Sequence, residues 1–165
     1  MHPRHPLAAL LLAATLAAGL LGGTASAQAT PEYVDVSAYP MDDSQYEAWL
    51  TLRNALRQDF DEICGDTFCE GDFSNIEPLR FRCSVERTSG RIGMCAWMFA
   101  ASNEEIDPAT GRVVVAQRGF WRCRAPLAKG TTLTAFLHAL QGPRPLYAAL
   151  PGTSRTLMDG LIDCL

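Results

Sequence analysis

The sequence has few of the residues on which catalytic and metal sites depend. It contains three histidines. His2 and His5 precede a long apolar run that is typical of a cleaved signal, so His138 is the one histidine expected in the mature chain. A Ser-His-Asp triad would have to use it, yet no Gly-x-Ser-x-Gly motif supplies the serine. One histidine is also too few for a catalytic zinc site. The sequence lacks a Cys-x-x-Cys motif and a phosphate-binding loop as well. We therefore predict no catalytic residue and favour a protein that is not an enzyme.

The one long apolar segment lies near the start of the chain. Arg4 precedes the run Leu7–Leu21, and Ala25-Ser26-Ala27 follows it. A basic start, a short apolar stretch and a small-x-small site are typical of a cleaved secretory signal. Because spanning a bilayer takes about 20 apolar residues, the run predicts a signal peptide over residues 1–27 rather than an anchor. The mature protein is expected in the periplasm or outside the cell, without a membrane span.

Acidic and basic residues are unevenly distributed along the mature chain. Residues 28–78 hold twelve acidic residues and two arginines, a net charge of −10, whereas residues 79–165 hold eleven basic and six acidic residues, a net charge of +5. The overall negative charge argues against nucleic acid as a partner. The asymmetry is compatible with a solvated acidic face or with a surface that steers a charged partner.

Local patterns predict an α+β domain. Ser44 and Glu47 fit a capping box, and apolar residues at three- and four-residue steps then predict a helix over residues 44–63. Three segments have strand patterns, and their short connections predict an antiparallel meander. These segments are Leu79–Glu86, Ile92–Ala101 and Val113–Arg124.

The remainder of the chain predicts helices that cover one face of this sheet. Thr131 or Thr132 begins one helix, and Thr153 or Ser154 begins the last. We expect an extended N-terminal arm over residues 28–43 and a single domain over residues 44–165.

Six cysteines follow the predicted signal, and export with an even number favours three disulfides. Sequence spacing alone allows fifteen connectivities. If the first hairpin turns at Ser89, however, residues 83 and 95 lie directly opposite each other, within disulfide reach. Cys64 and Cys69 lie in one loop that a disulfide can close, so Cys123 and Cys164 are left as the third pair. The predicted pairs are Cys64–Cys69, Cys83–Cys95 and Cys123–Cys164.

An acidic segment follows the first helix, with six carboxylates within residues 59–72. Counted from Asp66, oxygen-bearing side chains recur as in an EF-hand loop, which suits Ca²⁺, although a phenylalanine occupies the third position and a strand follows. A pair of loop carboxylates could instead serve a hydrolase. The remaining interpretation is a solvated loop over residues 61–77. The predicted calcium ligands are Asp66, Glu70, Asp72 and Glu77.

The third predicted strand carries a basic and aromatic strip, formed by Arg118, Trp121, Arg122 and Arg124. Such a strip can bind a glycan, an anionic polymer or a protein by stacking and charge. An outward strand face with inward aromatic residues is the alternative.

Taken together, these features favour an exported, disulfide-stabilised, non-enzymatic protein of the cell envelope that binds a protein or polymer, as inhibitor-type proteins do. A calcium-dependent binding module and a hydrolase that uses loop carboxylates are the alternatives.

Overall fold

A four-stranded antiparallel sheet forms one layer of the fold, and helices form the other. The computed structural model describes residues 30–64, 69, 73 and 75–165, with the backbone alone at Arg118. The strands lie in the order β1-β2-β3-β4. The strands are β1 (Tyr33–Asp35), β2 (Asn75–Glu86), β3 (Ile92–Ile106) and β4 (Val113–Arg124), and the helices are α1 (Asp43–Ile63), α2 (Leu133–Ala139) and α3 (Leu157–Ile162), with short 3-10 turns at Val36–Ala38 and Pro145–Tyr147. The predicted α+β class is confirmed.

The core lies between the inner face of the sheet and the helices, and aromatic side chains dominate it. Phe60 of α1 lies 4.9 Å from Phe99 and 5.7 Å from Trp97, measured between ring centroids. Phe81 of β2 stacks on Phe136 of α2 at 6.3 Å. All five side chains are buried. Such pairs contribute about 0.5–1.5 kcal/mol each beyond their area burial, so this cluster fixes the helices on one face of the sheet.

Two helix starts differ from the predictions. The N-cap of α1 is Asp42 rather than Ser44, because its carboxylate accepts a hydrogen bond from the Gln45 amide at 2.8 Å and Gln45 completes the capping box. The N-cap of α3 is Thr156, which forms a capping box with Asp159. Several cap-forming residues stand side by side at both places, so the choice depends on where the helix first packs on the sheet.

The sheet is larger than predicted at both ends. Strand β2 begins at Asn75, and its ladder is interrupted between Pro78 and Arg80, because proline has no N–H to donate. Strand β3 runs to Ile106 rather than Ala101. The expected arm contributes β1, which pairs with β2, and the segment buries Val36 in the core.

Disulfides join the three predicted cysteine pairs, Cys64–Cys69, Cys83–Cys95 and Cys123–Cys164. Cys83 lies directly opposite Cys95 in the β2–β3 ladder. The Cys95 carbonyl accepts from the Ala125 amide, on the β4 side. The facing cysteines therefore form a non-hydrogen-bonded pair, in which Cα atoms approach most closely, here to 4.0 Å.

Candidate functional site: the uncovered face of the sheet

Most of the predicted calcium loop lies outside the described residues, namely Asp66, Glu70 and Asp72. Glu77 is described, as an exposed residue of β2 opposite Ala100. Within the part of the chain that the structure describes, no group of three or more His, Cys, Asp or Glu side chains is placed to hold a metal ion. The calcium site therefore stays a prediction from the sequence.

Asp59, the first member of the acidic segment, has a structural role that the sequence did not reveal. Its side chain is buried, with 4% of its surface exposed. Its carboxylate accepts a hydrogen bond from the Leu146 amide at 2.9 Å, which ties α1 to the turn at Pro145–Tyr147. The exposed Glu62 lies 3.5 Å from Arg144 of the same turn. Both carboxylates therefore join α1 to the turn at Pro145–Tyr147.

His138 is exposed in the last turn of α2. Among the described side chains, no hydrogen bond joins it to a serine or a carboxylate. The one histidine of the expected mature chain therefore has no partner of a catalytic triad in this part of the structure.

The predicted strip on β4 is divided between the two faces of the sheet, so it does not form one surface. Successive side chains of a strand point to opposite faces. Trp121 is opposite the buried Phe99 and contacts Phe73 edge-on at 5.2 Å. Its ring also crosses Gly119, where an added Cβ would lie 2.2 Å from the ring. Arg122 and Arg124 lie on the outer face. For Arg118 the structure describes only the backbone, which lies opposite Ser102.

The outer face of the sheet instead brings arginines of two strands together. The β3 residue Met98 has Arg80 of β2 opposite it on one side and Arg122 of β4 on the other. The next row of the sheet repeats this arrangement around Ala96. We call this surface the arginine face, which comprises Arg80, Arg82, Arg122 and Arg124 around Ala96 and Met98.

The four arginines are exposed and differ in their partners. Arg82 lies 2.7 Å from the Asp35 carboxylate. Burial raises the pKa of Asp35, but hydrogen bonds from Ser37 and the Arg82 guanidinium outweigh it and hold the pKa below its ordinary value. In the described portion of the molecule, no carboxylate forms an ion pair with the other three arginines.

A shallow depression of about 290 Å³ lies on this side of the sheet. Met94, Ala96 and Met98 line it, together with Arg82, Arg122 and the Asp35 carboxylate that pairs with Arg82. Ala96 is only 6% exposed although it lies on the outer face, because long side chains cover small residues between them. The surface therefore combines apolar side chains with two arginines and one carboxylate.

The arrangement was missed in the sequence because it depends on the register of β4 against β3. The alternation in β2 placed its charges on one face, Arg122 and Arg124 stood two residues apart in β4, and the predicted meander put β3 between these strands. The ladders of the structure show that both pairs of arginines align on Ala96 and Met98.

In the described ranges, no helix has the length and apolar character needed to cross a membrane. Comparison with protein-family models, with curated proteins and with solved structures finds no match to this chain.

Proposed function

We propose that this chain is an exported, non-catalytic binding protein whose ligand is an acidic protein, bound on the arginine face. The observation that carries the proposal is the pair of rows in which Arg80, Arg82, Arg122 and Arg124 flank Ala96 and Met98. Three of these arginines form no ion pair with a described carboxylate.

The chemistry of the face suits carboxylates. Arginine presents a planar fork of donors that binds a carboxylate through two hydrogen bonds, and such charge-assisted bonds are about twice as strong as neutral ones. Methionine side chains that line the depression can adapt to apolar groups of the ligand. Acidic protein surfaces offer both kinds of group within a small area.

Export is supported by two independent features. The signal-like segment of residues 1–27 predicts secretion, and three disulfides are typical of oxidising compartments. A periplasmic or secreted protein meets its partners without cytosolic competition.

A charge probe tests the proposal directly. Fluorescence anisotropy of a labelled poly-glutamate peptide would be measured with oxidised protein of residues 28–165, at low and at physiological salt. Binding should weaken as salt screens the charges. A triple variant, Arg80→Gln with Arg122→Gln and Arg124→Gln, should weaken binding at least about tenfold, while the ion pair of Arg82 is left intact.

The matched control is Arg57→Gln, which removes an exposed arginine from α1, on the helical side of the fold. It should bind the peptide as the wild type does. Equal binding by the triple variant and the wild type, or no binding at all by the wild type, would overturn the proposal.

A further inference from the structure

In the part of the chain that the structure describes, strand β4 pairs with β3 alone, so it forms an edge of the sheet. The Ala125 amide donates to the Cys95 carbonyl at 3.0 Å. Because backbone groups point alternately to the two sides of a strand, the odd-numbered residues from 117 to 123 also bond to β3. The N–H and C=O groups of Phe120 and Arg122 therefore face the open edge.

Helix α3 covers one end of this edge. A Cβ atom added at Gly160 would lie 2.7 Å from the Arg124 carbonyl oxygen, so the helix closes the edge there. Among the described residues, 113–122 have β3 on one side and no strand on the other. At about 3.3 Å per residue this stretch spans roughly 33 Å, which is long enough for a complete strand.

Apolar side chains extend the arginine face along β4 towards the hairpin turn. Phe120 lies opposite Ala100, on the outer face, and is 67% exposed. The Ser102 hydroxyl donates to the Glu104 carboxylate, which places Glu104 and the opposing Val115 on the same face. The apolar strip on this side consists of Phe120, Val115, Val113 and Ile106, all of them exposed.

The two ends of the β4 edge indicate the chemistry of the segment that would bind there. Long apolar edge strands are normally shielded by charge, proline or a covering element. This edge carries Arg122 and Arg124 at one end and three valines at the other, with Gln117 and Arg118 between them. A second copy of the chain fits poorly, because β4 contains no acidic residue to offer Arg122. An extended segment with carboxylates followed by apolar side chains fits both ends.

We propose that the acidic partner binds as an extended segment that adds an antiparallel fifth strand to β4, an inference that rests on the proposed function. Alternate side chains of the added strand lie over the outer face. Its carboxylates meet Arg122 and Arg124, and its apolar side chains cover Phe120 and Val115. Main-chain hydrogen bonds to Phe120 and Arg122 supply affinity, as in other strand-addition complexes.

The test uses a synthetic peptide of about nine residues, Glu-Thr-Glu-Thr-Val-Thr-Val-Thr-Val, and oxidised protein of residues 28–165. A second peptide has the same side chains, but methyl groups on alternate backbone nitrogens block its pairing edge. The unmodified peptide should bind at least about tenfold more tightly than the methylated one. It should also slow hydrogen exchange at the Phe120 and Arg122 amides, and leave those of Gly119 and Trp121, already bonded to β3, unchanged.

The outcomes separate the two proposals. Equal binding of both peptides, without protection of Phe120 and Arg122, would refute strand addition and leave the arginine face as the binding site. If neither peptide binds, or if the triple arginine variant binds as the wild type does, both proposals fail. Protection of the same two amides in protein alone, with dimers in sedimentation, would show that a second copy occupies the edge and would also refute the inference.

Discussion

The buried carboxylate of Asp59 offers the sharpest test of the fold. It accepts a hydrogen bond from the Leu146 amide at 2.9 Å, and both residues are almost completely removed from solvent. Asp59→Ala removes the acceptor and leaves the amide buried without a partner. An unsatisfied buried donor costs about 1–3 kcal/mol, so we expect the free energy of unfolding to fall by about 2 kcal/mol.

Two further variants isolate this effect. Asp61→Ala changes an exposed aspartate of the same helix. Like Asp59→Ala, it gains about 0.5 kcal/mol of helix propensity, but it loses no buried hydrogen bond. Asp59→Asn keeps an oxygen acceptor and should lose less than half as much stability as Asp59→Ala.

Urea unfolding of the oxidised proteins measures these differences, with the slope of the transition compared to confirm that the same surface is exposed. Hydrogen exchange at the Leu146 amide gives a local readout and should accelerate in Asp59→Ala. If Asp59→Ala unfolds within about 0.5 kcal/mol of Asp61→Ala, the structural role assigned to this carboxylate is wrong.

Three further predictions concern other parts of the chain. Replacing both cysteines of the Cys123–Cys164 disulfide with alanine should cost about 4 kcal/mol in urea unfolding, against about 2 kcal/mol for the Cys64–Cys69 disulfide, because their sequence separations are 41 and 5; equal losses would contradict the loop-entropy argument. The pKa of Asp35 lies below its ordinary value of 3.8, since hydrogen bonds from Ser37 and Arg82 outweigh the effect of burial. Its contribution to stability is therefore complete above about pH 4 and is lost as the pH falls through its folded pKa. In a plot of the urea midpoint against pH, Asp35→Asn should reduce the fall at acidic pH. An unchanged curve would contradict the role assigned to Asp35. The calcium hypothesis predicts that excess Ca²⁺ raises the melting temperature by several degrees and that Asp66→Ala abolishes the shift, whereas an unshifted wild type would exclude it.

Much of the fold was predictable because its determinants are local. The helical spacing of Trp49, Leu52 and Leu56 and the alternation in β2 identify elements without any tertiary information. The position of the first turn then set the register that placed residue 83 opposite residue 95, and the two other disulfides followed from a shared loop and from the cysteines that remained. Short connections left an antiparallel meander as the natural arrangement.

Details at the ends of elements were less predictable, because neighbouring residues compete for the same role. Asp42 and Ser44 can both cap a helix, and Asp42 does so because its carboxylate reaches the Gln45 amide. The predicted strand began at Leu79, yet β2 begins at Asn75 and accommodates Pro78 at an irregular point of the ladder.

The candidate site was decided by tertiary structure. The sequence left open whether Trp121 lies beside the arginines of β4 or points inward, and the structure places it on the inner face, opposite Phe99. The arginines of β2 and β4 lie about forty residues apart in the chain, and they share one surface because β3 runs between them. The sequence by itself thus determined which residues alternate on each predicted strand and that β3 lies between β2 and β4. The register of β4 on β3 determined which side chains meet, because lateral neighbours in a sheet come from distant parts of the chain.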